Sequence, residues 1–229
     1  MVTFTIHFYS SVLTECNSME IVLPSGDGPW PVLWLLPPIG CNHTRWSTYT
    51  DIPSLAEMKQ RMVVMPDLKL SCGLDMVHGL RFHTMLVTEL PLFLKAHFSV
   101  DLTSQVIAGA KEGAYAALYA AAHGKQNYEQ VIALSGGSLT EEGILIDSDL
   151  RFRHAFGKKV SALRGSDYDM ENQVEEIQKH SKLYVTYGTE DCYSHSAANL
   201  GKKLLSEQVD ILNGSLGWNE WYNILQKRI

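Results

Sequence analysis

Five short apolar runs, each closed by glycine or proline, constrain this chain more than any other feature. PVLWLL (31–36), MVVMP (62–66), SQVIAGA (104–110), QVIALSG (130–136) and KLYVTYG (182–188) hold too few polar residues to leave one face in water. Such runs read as strands buried on both faces. Helical patterns at 51–60, 78–97, 112–123, 194–207 and 217–228 lie between and after them. Strands that alternate with helices predict an α/β architecture, a mostly parallel central sheet with helices on both faces. TFTIHFY (3–9) and MEIVLP (19–24) instead alternate apolar and polar residues, as edge or half-buried antiparallel strands do, and the turn Ser25-Gly26-Asp27-Gly28 follows them. Residues 138–168 break the rhythm. They are charged and irregular, contain ILIDSDLRFRHAFGKK, and are expected as a short cap-like insertion over the carboxyl edge of the sheet, ahead of a helix at 169–179.

A chain of 229 residues with 45% hydrophobic content suits one well-buried core, so a single domain over 1–229 is expected. The net charge of -6, with no basic cluster longer than Lys202-Lys203 or Lys227-Arg228, gives nucleic acid or an anionic membrane little to bind. No apolar run approaches the roughly 20 residues of a membrane-spanning helix. Cys16, Cys41, Cys72 and Cys192 are scattered without a CxxC pair, and no leader pattern opens the chain. A cytoplasmic protein with free thiols, no metal and no cofactor is the expectation.

Ligands of such sheets bind where strands end and helices begin. Five strand-end loops qualify: Pro37 to Asn42, Asp67-Leu68-Lys69, Gly109 to Gly113, Gly188 to Asp191, and Gly214 to Trp218. The third reads Gly109-Ala110-Lys111-Glu112-Gly113. It has the frame of the strand-to-helix turn that presents a nucleophilic serine in Gly-x-Ser-x-Gly, with lysine at its centre.

Taken together, the loops resemble a family. LLPPIGCNHTRW (35–46) sits where small esterases have Leu-Leu-His-Gly-x-x-Gly-Asn and a tryptophan. VVMPD (63–67) and GLRFHTMLVTELPLFL (79–94) match the segments that follow. AGAKEGAYAAL (108–118) aligns with Ala-Gly-Leu-Ser-Met-Gly-Gly-Tyr-Gly-Ala, YGTEDCYSHSAANL (187–200) with a Cys-Gly-x-x-Asp segment, and GSLGWNEWYNIL (214–225) with Gly-x-His-x-Trp-x-x-Trp. The chain thus resembles the tributyrin esterase, esterase D and S-formylglutathione hydrolase family, and the resemblance implies an α/β-hydrolase fold. It also implies serine, aspartate and histidine where this chain has Lys111, Asp191 and Leu216, and an oxyanion loop where it has Pro37, Pro38 and Ile39. Self-association as a homodimer is a further implication of the resemblance.

Only the aspartate is kept. An aspartate acts by orienting an imidazole, leucine moves no proton, and Pro38 has no backbone N–H to donate. None of the nine histidines follows His195, so no base is available from the loop after the last strand. The expectation is an esterase-like protein without normal serine-esterase activity, whose cleft binds a small ligand or whose surface binds a partner. A weak or atypical ester hydrolase using displaced residues is the alternative. A third is Schiff-base chemistry through Lys111, whose amine a helix N-terminus and burial would push toward neutrality.

Other residues are weighed against plainer roles. Lys111 is expected to pair with Asp191, or to be neutralised by Glu112. Asn42, His43, Asp67, Glu112 and Cys192 are cleft candidates, with Arg45, Lys69, His78 and His83 beside them; for loop residues of this kind, turn caps and solvated side chains are the usual role. Ser135 in ALSGG reads as a strand-end turn more readily than a second elbow. Cys41 and Cys192 could serve as thiol nucleophiles only beside an imidazole. Cys192-x-x-His195 and Asp75-x-x-His78 are halves of metal motifs without second halves. Trp218 and Trp221 are expected on the inner face of the last helix.

Overall fold

The computed structural model describes residues 1–142 and 146–229. Positions 143–145 of the expected insertion lie outside the described residues. Eight strands form one sheet: β1 (Val2–Ser10), β2 (Glu15–Leu23), β3 (Trp30–Leu36), β4 (Met62–Pro66), β5 (Val100–Ala110), β6 (Gln130–Leu134), β7 (Lys182–Gly188) and β8 (Val209–Leu212). Their spatial order is β1-β2-β4-β3-β5-β6-β7-β8. The first two pairings, β1 with β2 and β2 with β4, are antiparallel, and the remainder are parallel. This is the mostly parallel α/β sheet that the apolar runs imply.

Burial on both faces follows from the side-chain period of two along each strand. In β3, Val32, Trp34 and Leu36 enter one apolar layer, while Leu33 and Leu35 enter the other. The first layer packs under α5 (Glu112–His123), and the second holds Trp46 of α1 (Arg45–Tyr49), Ile52 and Leu55 of α2 (Ile52–Lys59), and Trp221 of the C-terminal helix. Asp51 caps α2 by accepting from Ser54 N at 3.1 Å.

The pattern at 78–97 resolves into α3 (Phe82–Thr84), a π-helical turn over Met85–Glu89, and α4 (Leu90–His97). Pro91 has no N–H to donate backward, and the Val87 carbonyl instead accepts from Gln126 Nε2 at 3.2 Å. Beyond β6 come α6 (Leu150–Phe156) and α7 (Val174–Gln178), then α8 (Ser194–Gly201) after β7 and α9 (Trp218–Arg228) after β8. The helix expected over 194–207 therefore stops at Gly201, and β8 is a strand that the sequence reading lacked. Its four residues are too short to show a period. They become a strand by pairing with Val185–Gly188, and Lys227 and Arg228 of α9 tie down Asp210 in its middle.

The chain leaves β3 for β4 on one side and returns to β5 on the other. Doubly wound sheets bind ligands at such a switch point, at the carboxyl ends of the strands. Here those ends are Leu36, which runs into Pro37-Pro38-Ile39, and Ala110, which runs into Lys111.

Candidate active site

Lys111 has φ 54° and ψ −116°, a conformation that non-glycine residues adopt only under constraint, at a cost of about 1–3 kcal/mol. The constraint comes from its neighbours. Lys111 N donates to Leu134 O of β6 at 2.8 Å, and Lys111 O accepts from Ala114 N at 3.0 Å to start α5. A Cβ at Gly109 would lie 2.1 Å from Gly113 O, and one at Gly113 would lie 2.5 Å from Leu36 O. Both glycines of the motif are thus needed for β5, α5 and β3 to approach this closely. The sharp strand-to-helix turn that the Gly-x-x-x-Gly frame predicts is present, and the side chain at its apex is that of Lys111.

Asp191 is 5% exposed and fully engaged. Its Oδ2 accepts from Gly188 N at 2.7 Å, and its Oδ1 from Leu216 N at 2.8 Å and Ser215 Oγ at 3.2 Å. The carboxylate clamps the loop after β7 to the loop after β8. Its expected pairing with Lys111 is not formed: among the described residues the Lys111 ammonium makes no ion pair, and Glu112 does not neutralise it either. The reason is competition. Main-chain N–H groups of Gly188 and Leu216 and the Ser215 hydroxyl, from two converging loops, already bond both oxygens of Asp191.

Leu216 belongs to the second apolar layer with Trp46, Trp221 and Leu225. The Trp46 ring meets Trp218 edge-on at 5.0 Å between centroids, and Trp218 meets Trp221 at 5.2 Å. Trp221 is on the inner face of α9, as its spacing predicts, and its Nε1 donates to Ser135 Oγ at 2.7 Å. Ser135 is completely buried, has φ 52°, and has its hydroxyl occupied by that indole. It is a strand-end turn.

The loop after β3, to which the resemblance assigns an oxyanion role, is tied to α5 by a buried carboxylate. Ile39 N, the first N–H after the two prolines, donates to Glu112 Oε2 at 3.1 Å. Glu112 Oε1 accepts from Tyr193 Oη at 2.6 Å. Glu112 is 6% exposed, and burial, followed by the Glu112 charge and this hydrogen bond, holds the Tyr193 phenol far above the ordinary tyrosine value. Tyr193 therefore stays a donor. Sequence reasoning did not select it; it lies 81 residues from its partner, and no local pattern marks it. The enclosed space beside Glu112, lined by Pro37, Ile39, Cys72 and Gly113, is about 10 Å³, room for roughly one water.

Both cleft thiols are shifted away from reactivity. Loss of solvation raises Cys41 despite the opposing Arg45 and Lys111 charges, and raises Cys192 despite Lys111. An activated thiol shifts the other way. His195 approaches Asn199 at 3.4 Å. Asn42 accepts from Thr44 N and Oγ1, and Asp67 from Lys69 N, so both serve their own turns. Lys69 pairs with Glu15, and Arg45 reaches Tyr49. His43 and His83 each hold a buried Nδ1 without a hydrogen-bond partner, and burial lowers the His83 pKa. His78 lies beside His154, with ring centroids 6.5 Å apart. Among the described residues, no three His, Cys, Asp or Glu side chains are grouped to hold a metal ion, and no helix is long and apolar enough to cross a membrane.

Residues 10–204 match the model of the esterase family described as "Putative esterase". No curated protein matches the chain. Among solved structures, the fluorophosphonate-binding serine hydrolase FphF of Staphylococcus aureus superposes with a TM-score of 0.85 at 18% identity, over 99% of this chain and 96% of that one. The S-formylglutathione hydrolase FrmB of the same organism gives 0.82 at 17% identity, over 99% and 96%. Mycobacterium tuberculosis MPT51 gives 0.75 at 16%, over 99% and 96%. At these identities the superpositions establish a shared fold, and the family match covers most of the sequence. The chain belongs to the esterase family of the α/β-hydrolase fold.

Proposed function

We propose that this member of the family carries out no serine-dependent acyl transfer, and that its strand-end cleft serves binding rather than turnover. The observation that supports this most strongly is Leu216. The position that would carry the general base is a hydrophobic side chain packed among Trp46, Trp221 and Leu225, and only its backbone N–H reaches Asp191. A serine hydroxyl is a poor nucleophile without an imidazole to take its proton. Here the hydroxyl is replaced by the Lys111 ammonium, the imidazole is missing, and the carboxylate has become a loop clamp. Of the oxyanion donors the fold would offer, the loop N–H at Ile39 is occupied from within by Glu112.

Removing triad members can leave a residual acceleration of about 10³–10⁴ over water through the oxyanion site. With that site filled, even this remnant is lost. Hydrolysis of short-chain p-nitrophenyl esters by the purified protein is therefore expected to match buffer, and to be unchanged in Lys111→Ala and Asp191→Ala. Turnover well above buffer that either substitution abolishes would overthrow the reading.

A further inference from the structure

The contact between Glu112 and Ile39 N has a chemical meaning beyond helix capping. In this fold the oxyanion of an acyl-transfer intermediate is held by the N–H of the residue after the nucleophile and by an N–H from the loop after β3. Here the residue after the elbow position is Glu112, and the loop N–H is Ile39, since Pro37 and Pro38 have none. The carboxylate of Glu112 bends back onto that loop donor at 3.1 Å.

We propose that the chain retains an anion-binding oxyanion site and that the Glu112 carboxylate is its resident ligand, held between Ile39 N–H and the Tyr193 hydroxyl. The proposal rests on the elbow being that of an esterase. A carboxylate resembles a tetrahedral oxyanion in charge and in the N–H donors it accepts from, so a site built for one holds the other. Three observations agree. Glu112 is buried, and a buried carboxylate persists where it is paired or multiply hydrogen-bonded. Its neighbour Lys111 does not pair with it, so the loop N–H and the phenol, not an ammonium, are its direct partners. The phenol is held in its protonated, donating form. The ligand class that would replace Glu112 is a small carboxylate, and in the native chain that place is taken.

The test removes the side chain and offers its chemistry back. Thermal unfolding of Glu112→Ala is followed in sodium acetate against sodium chloride at equal ionic strength. Acetate, and not chloride, is expected to raise the melting temperature of the variant saturably, while wild type responds alike to both salts. No acetate-specific gain in the variant, or an equal gain in wild type, would overturn the proposal. Should the variant not fold in dilute buffer, refolding in the two salts reads the same contact: recovery that depends on acetate supports it, and equal recovery defeats it.

A second pair separates this inference from the one beneath it. Lys111→Ser with Leu216→His is compared with and without Glu112→Met for p-nitrophenyl acetate hydrolysis. Activity that rises at least tenfold when Glu112 is removed supports the proposal, and activity as high with Glu112 in place overturns it. Acetate rescue together with silence in both multiple variants would leave the anion site standing and count against a latent esterase cleft alone.

Discussion

At the end of β5 the backbone holds a strained turn at Lys111 whose ammonium forms no ion pair among the described residues. At the end of β8 the backbone is held by Asp191, and the side chain of Leu216 has passed into the core. On the reading proposed above, the turn at Lys111 is a frame held by backbone contacts, whereas the loop after β8 is held by a buried carboxylate and by apolar packing. The difference lies in what enforces each. Gly109, Gly113 and Gly136 bring backbone against backbone at the elbow: a Cβ at Gly136 would lie 2.3 Å from Lys111 O. No side-chain substitution at 111 relaxes that frame. The loop after β8 makes one such approach, at Gly214 rather than at 216: a Cβ at Gly188 would lie 2.2 Å from Gly214 O, while the Leu216 side chain joins the apolar layer that holds Trp46 and Trp221.

If that contrast is right, the glycine frame should matter far more than the residue it frames. Gly109→Ala forces a methyl group against the Gly113 carbonyl and should cost about 3 kcal/mol or more, or prevent folding, in urea unfolding. Lys111→Ala should stay within about 0.5 kcal/mol of wild type.

Next in size is Leu216→Ala. Truncating this buried leucine of the Trp46 and Trp221 layer should cost about 2–4 kcal/mol, and a cost near zero would mean that Leu216 is a bystander and not part of the packing. Asp191→Ala follows at about 1–3 kcal/mol, because it strands the N–H groups of Gly188 and Leu216; Asp191→Asn, which keeps an acceptor oxygen, should cost less. A catalytic aspartate without the clamp would show the reverse profile, little change in stability on substitution. One substitution is expected to be a gain. Lys111→Gly removes the penalty of a Cβ at positive φ and should stabilise by about 1 kcal/mol.

Much of this was legible in the chain. The both-face-buried runs 31–36, 62–66, 104–110, 130–136 and 182–188 mark strands because burial on both faces removes polar residues from both sides of the pleat. The elbow stood out because close backbone approach demands glycine at 109 and 113. Other features were not legible, for a shared reason: they are contacts between residues far apart in sequence. Glu112 meets Ile39 across 73 positions and Tyr193 across 81, and Ser135 meets Trp221 across 86. The Lys111–Asp191 pair was expected because the resemblance leaves Asp191 without its histidine and a lysine stem is long enough to cross that space. It is not formed, and both oxygens of Asp191 are instead bonded by the Gly188 and Leu216 N–H groups, donors that no side-chain inventory displays. β8 is too short to carry a pattern, and it exists through its pairing with β7 and the basic end of α9.

The central claim is that the elbow presents no activated nucleophile. Intact-mass measurement after incubation with a fluorophosphonate probe tests it most directly, since that reagent modifies serines made nucleophilic by a neighbouring base. The folded protein should keep its unmodified mass through prolonged exposure. A single stoichiometric adduct on one serine, abolished by prior denaturation, would contradict the account.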